Sequence, residues 1–155
     1  MINVKKIKLL IFLCFCILLT ACSLNLNNEK NVNNFYTKQL EKTLASNDPV
    51  AFSVTDTNFY KEITLSQEDV TTIKSFISNL KSENFIDKPK DIPEKPKYKL
   101  YLKFKNEKFV INVYTEKYIT LYPWDGFYKM DYIDMTGVFL NYNLYGLCFN
   151  SFPQN

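Results

Sequence analysis

Asp125, Asp131 and Asp134 are the carboxylates whose spacing could do acid–base chemistry, and Cys148 is the thiol that stands nearest to them. A paired-acid mechanism needs two carboxylates about 5–10 Å apart across a substrate. The Asp131-x-x-Asp134 spacing does not fix that distance, and no second acid cluster stands ready to share a metal ion. No glycine precedes Gly126, so no phosphate-cradling loop opens a helix. Neither serine nor cysteine lies in a nucleophile-elbow motif. The chain has 0 His and all of its 19 basic residues are Lys. It therefore lacks the usual general base near neutral pH, the commonest metal ligand and the bidentate guanidinium fork. Cys148, between Leu147 and Phe149 with no basic residue adjacent, reads as a small buried apolar residue. These features point to a non-enzymatic protein with no metal and no cofactor.

The N-terminus carries chemistry of another kind. Lys5, Lys6 and Lys8 form a charged region, Leu9 to Leu18 an apolar run, and Leu19-Thr20-Ala21-Cys22 a small-residue cleavage site closing on a cysteine. The apolar run falls short of the roughly 20 residues that span a bilayer. Leu19 to Cys22 resembles a bacterial lipobox. In proteins with that motif a thioether-linked diacylglyceryl group is attached to the cysteine and the signal is cut ahead of it. The resemblance implies that Cys22 is the lipid anchor and first mature residue, held at the extracytoplasmic face of the cell membrane. The chain then divides into residues 1–21 (signal), 22–34 (lipidated cysteine and flexible tether) and 35–155 (one domain). The tether is polar and Asn-rich, with an r.m.s. reach of roughly 20 Å.

Removing the signal leaves 155 − 21 = 134 residues, enough for one core. The three signal lysines depart with it, so 19 − 3 = 16 Lys face 16 acids. A formally neutral chain gives no electrostatic case for nucleic acid. The abundance of Lys, Asn, Ile, Phe and Tyr is also what an A+T-rich genome encodes.

The elements that would position side chains follow from periodicity. Tyr36, Leu40 and Leu44 recur at helical spacing behind Asn33 and Asn34, which predicts a helix from Phe35 to Ser46 ending before Asp48-Pro49. Ala51 to Val54 and Asn58 to Leu65 read as extended, with Phe59, Ile63 and Leu65 on one side and Tyr60, Glu62 and Thr64 on the other. Ser66-Gln67-Glu68-Asp69 resembles a capping box and introduces Val70, Ile73, Ile77 and Leu80, predicting a helix over Gln67 to Leu80. Ser82 to Lys97, with Pro89, Pro93 and Pro96, reads as a stiff connection unsuited to helix or inner strand.

A meander follows. Tyr98, Leu100, Leu102 and Phe104 alternate with Lys99, Tyr101, Lys103 and Lys105. A two-residue turn at Asn106-Glu107 would pair Phe104 with Phe109, Leu102 with Ile111 and Leu100 with Val113, setting Lys105 opposite Lys108. A three-residue connection at Thr115 to Lys117 aligns Val113 with Ile119 and Ile111 with Leu121. Pro123 to Gly126 reads as a turn and Phe127 to Met130 as a fourth strand. Beyond Asp131, a short helix capped by Thr136 and ending near Tyr145 competes with irregular structure. The fold class is α+β: an antiparallel β-meander of about four to five strands with one or two helices packed on one face.

This register turns Tyr101, Tyr114, Tyr118 and Tyr122, with Lys99 and Lys103, onto the face opposite the core. Rigid aromatic rings offer contact area at small entropic cost, and lysine adds attraction for anions. Tyr and Lys also suit exposed strands for β propensity and edge protection, and the C-terminal segment is a candidate to cover this face. Trp124, at the turn tip, is a candidate loop anchor. The run Lys88 to Lys108 holds eight Lys and three acids, a surplus suited to an anionic surface.

The lipobox, Asn-rich tether, Ser-capped helix, Pro-rich crossing and Tyr-rich meander together resemble small clostridial-type lipoproteins grouped as a family of unknown function. The resemblance implies an α+β domain outside a Gram-positive membrane and no particular activity. Two roles fit. One is a non-enzymatic envelope module binding an envelope protein or wall component through the Tyr/Lys face. The other is an inhibitor or accessory factor binding an envelope protein through the Pro-rich and Trp124 loops.

Overall fold

The computed structural model describes residues 34–46, 49–124 and 129–153. Among them seven strands form one antiparallel sheet, ordered β2-β1-β4-β5-β6-β7-β3. The strands are β1 (Ala51–Asp56), β2 (Lys61–Thr64), β3 (Phe85–Ile86), β4 (Tyr98–Lys103), β5 (Lys108–Val113), β6 (Tyr118–Pro123) and β7 (Asp131–Asp134). Helices α1 (Phe35–Ser46), α2 (Gln67–Asn79) and α3 (Leu144–Ser151) contribute to one core with the sheet's inner face.

The sheet is wider than the four to five strands expected. The additions lie at its two ends, with β2 and β3 as the edge strands. The segment before α2 pairs with β4 as the β1–β2 hairpin, and Phe85-Ile86, just ahead of the prolines, pairs with β7. Short edge strands carry little alternation, which is why β3 leaves almost no trace in the sequence.

Helix α2 starts as its capping box dictates. Ser66 Oγ accepts from the Asp69 amide at 3.2 Å while Asp69 Oδ2 accepts from the Ser66 amide at 2.8 Å. Val70, Ile73, Phe76 and Ile77 then form its buried stripe. They pack in one cluster with Leu100, Leu102, Ile111, Val113, Ile119 and Leu121, the inward residues of β4 to β6. The pleat parity read from the sequence therefore holds.

The β4–β5 register differs by two residues from the expected one. Leu102 faces Phe109 and Leu100 faces Ile111, the turn is Lys105-Asn106, and the Phe104 amide donates to the Glu107 carbonyl at 2.9 Å. A shift of two preserves every face, whereas a shift of one would invert them. Phe104 stays in the core against Phe52 and Phe109, and Glu107 comes within reach of α1. The β5–β6 register is as expected, with Val113 opposite Ile119 and Ile111 opposite Leu121.

Three further expectations change. The last strand of the meander is Asp131–Asp134; of the expected Phe127 to Met130, residues 127–128 lie outside the described residues and 129–130 are not strand. An inward-facing acid breaks the apolar alternation that would have identified it. The proposed helix from Thr136 is replaced by a 3-10 turn at Leu140–Tyr142 and by α3, whose start Asn143 caps through its side chain on the Tyr145 amide. Phe59 does not share a buried face with Ile63 and Leu65. It sits in the β1–β2 turn, where Asp56 Oδ1 accepts from the amides of Asn58 and Phe59 and Tyr60 adopts a left-handed φ of 54°.

Candidate binding face

The register sets a row of outward side chains across the sheet at Ser53, Tyr101, Val110 and Tyr122, from β1 to β6. One step toward the β4–β5 turn, Lys103 stands directly opposite Lys108. Trp124 follows β6 and its amide donates to the Lys108 carbonyl at 3.0 Å. Its ring lies 6.1 Å from that of Tyr101 and is 65% exposed. Tyr101, Lys103, Lys108 and Trp124 line a groove of about 570 Å³ whose other walls include Ala51, Ser53, Thr55 and Glu62. Burial raises the Tyr101 phenol above its ordinary pKa, and the nearby Tyr122 and Glu62 push it in the same direction.

The structure thus brings Tyr101, Lys103 and Trp124 together, with Tyr122 beside them. It does not bring in the rest. Lys99 is half-buried in the next row, between Thr55 and Asn112. Tyr114 lines a separate depression with Lys117 and Tyr145 at the far end of β5. Tyr118 is only 9% exposed and lies beneath the Lys117 ammonium, 4.7 Å from its ring centre. The middle of the outer face is closed as well, since Val110, Asn112 and Thr120 are all buried. The C-terminal segment does not do this: α3 packs with α2, and Leu144 and Cys148 enter the core on the other side of the sheet.

Trp124 and the Pro-rich connection occupy opposite ends of the sheet. Trp124 adjoins Lys108, where β5 begins, while the connection re-enters beside Val113, where β5 ends. The length of β5 separates them, roughly 17 Å at the usual rise per residue. The connection is fastened there, with Lys95 Nζ donating to the Thr57 carbonyl at 2.7 Å and Thr57 Oγ1 donating to the Pro96 carbonyl. Lys97 next to it donates to the Tyr145 hydroxyl at 2.7 Å, which raises its pKa.

The acids do not form a pair. Asp131 points into the core and Asp134 outward, where it lies 3.7 Å from Lys117; Asp125 lies outside the described residues. Burial raises the Asp131 carboxyl above its usual range, partly offset by donation from Thr37. Cys148 is fully buried and its thiol is pushed far up by desolvation, which makes it inert.

Lys108 and Glu62 belong to the groove and were not singled out from the sequence. The signal for Lys108 was the hairpin register, because a turn at Lys105-Asn106 exchanges Lys105 for Lys103 as its partner.

Residues 30–148 match the family model described as Domain of unknown function (DUF4883). The chain belongs to the DUF4883 family. A solved structure described as "Putative Lipoprotein from Clostridium perfringens" is similar to this DUF4883 chain at 32% identity, with a TM-score of 0.73 over 81% of this chain and 99% of that one. No curated protein matches it. The comparisons indicate no enzymatic family for this DUF4883 domain.

Proposed function

We propose that this protein is a membrane-anchored extracytoplasmic lipoprotein whose α+β domain is a non-enzymatic binding module of the cell envelope. In this reading residues 1–21 are the export signal, Cys22 carries the lipid, residues 22–34 are the tether and residues 35–155 form the domain. Two acyl chains on Cys22 would give stable anchoring where a single chain is marginal. The lipobox-like Leu19 to Cys22 supports this, as does likeness to the relative described as a "Putative Lipoprotein".

The binding surface is the groove at the Trp124 end of the outer face, rather than the whole Tyr/Lys face. The observation that carries this choice is the Tyr101–Trp124 ring pair, 6.1 Å apart, beside two facing lysines. Exposed aromatic rings on a rigid sheet are the usual anchors of recognition sites. A second groove of about 660 Å³ beside the start of α2 is lined by Glu68 and Asp69, by small polar residues and by the apolar Ile63, Leu65, Leu140 and Leu147, with neither an aromatic ring nor a lysine. The test is a Tyr101→Ser, Trp124→Ser double variant compared with the parent for envelope components retained on cross-linking and purification. Loss of components that the parent retains is the expected result. A folded double variant that keeps every component of the parent would remove the groove from consideration.

A further inference from the structure

We infer that the Trp124 groove takes an anionic carbohydrate, a polymer whose sugar or polyol repeat carries phosphate or carboxylate. The inference deepens the binding-module reading and rests on it.

The first argument is electrostatic. Lys103 and Lys108 are direct cross-strand partners on one face, and like charges so placed repel. Lys105 adds a third ammonium at the turn. Among the described residues the ion pair is Lys117–Asp134, at the far end of β6, and no described carboxylate lies within ion-pair distance of the hairpin lysines. Glu107, the acid of the same hairpin, lies opposite Phe104 on the inner face, where Thr43 and Gln39 on α1 donate to it. An anionic group seated between Lys103 and Lys108 removes the repulsion.

The second argument is the rest of the lining. Trp124 and Tyr101 present ring faces suited to the C–H surface of a sugar or polyol. Opposite them stand the hydroxyls of Ser53 and Thr55 and the Glu62 carboxylate, an acceptor for the hydroxyl groups of a ligand. Glu62 also repels charge at its own end of the groove. The ligand therefore carries its anion at one end of each repeat and hydroxyls at the other, unlike a dense polyanion. A volume of about 570 Å³ is of small-ligand size. Lys103, Lys108, Phe109 and Trp124 also line an adjoining hollow of about 470 Å³ around Lys105 to Glu107. Two adjoining hollows suit successive repeats of a polymer, whereas a lipid headgroup would need only one.

Trp124 is the one tryptophan of the chain, so its emission reports on this groove directly. The experiment titrates the full chain, purified from membranes in detergent, with a glycerol phosphate oligomer, with neutral chitohexaose and with phosphatidylglycerol vesicles. The expected result is a saturable change in Trp124 emission with the oligomer, weakening as salt rises. A Lys103→Gln, Lys108→Gln double variant should bind the oligomer about tenfold more weakly without losing thermal stability. Unchanged emission with the oligomer, or undiminished affinity in the double variant, would overturn the inference. Equal affinity for chitohexaose would also overturn it while leaving the groove as the binding site. A response to the vesicles alone would replace the polymer with a lipid headgroup.

Discussion

Asp131 reaches across 94 positions of sequence to Thr37, its Oδ2 accepting from the Thr37 amide at 2.6 Å and from the Thr37 hydroxyl at 2.7 Å. The backbone of Phe35 and Tyr36 donates to the same carboxyl. Helix α1 has no acid in its own first turn, so the sheet supplies the negative group that its free amides require. Asp131→Ala strips an acceptor from several buried donors and should cost about 2–3 kcal/mol, read as a lower urea midpoint. Asp131→Asn keeps an acceptor and should cost clearly less.

The same carboxyl sets a pH dependence. Burial raises its folded-state pKa, so the folded protein binds the extra proton between the unfolded value of 3.8 and the raised folded value. Stability from this group is therefore fully present below 3.8 and is lost as pH rises through the folded pKa. Urea midpoints of the parent measured against Asp131→Asn should improve as pH falls through that window. A difference between the two proteins that does not change with pH would contradict the assignment.

Ser66 and Asp69 cap α2 reciprocally. Ser66→Ala should lower stability by about 1 kcal/mol. The double change with Asp69→Ala should cost less than the sum of the singles, because both remove the bond that Ser66 Oγ donates to Asp69 Oδ2. Additive losses in a thermal denaturation cycle would show that the two bonds act independently.

Thiol counting separates the anchor from the core. Protein extracted from membranes should show no thiol reactive to an aromatic disulfide reagent while folded, and one after denaturation. That one is Cys148, buried with its thiol pushed up by desolvation. Under the proposed processing Cys14 and Cys16 leave with the signal, and a lipidated Cys22 has no free thiol. A second reactive thiol would mean that Cys22 is unmodified.

Much of this architecture was legible because it is local. The Ser66-capped helix, the Tyr36–Leu40–Leu44 stripe and the inward parity of β4 to β6 follow from short-range pattern and were read correctly. What was hidden is long-range. The β4–β5 register depended on Glu107 meeting Thr43 and Gln39 on a helix more than sixty positions earlier, with separations of 64 and 68. Strand β7 was masked by Asp131, whose inward acid makes sense only beside the start of α1. The Tyr/Lys face was placed on the correct side, yet its division could not be foreseen. Tyr118 lies under Lys117 and Tyr114 beside Tyr145, while Trp124 folds toward Tyr101 across the width of β5.

The most direct test of the account is photo-cross-linking in intact cells from a benzophenone side chain placed at position 51, in the Trp124 groove, or at position 72, in the groove beside α2. The account predicts an envelope adduct from position 51 and none from position 72. Adducts from position 72 with none from position 51 would contradict it.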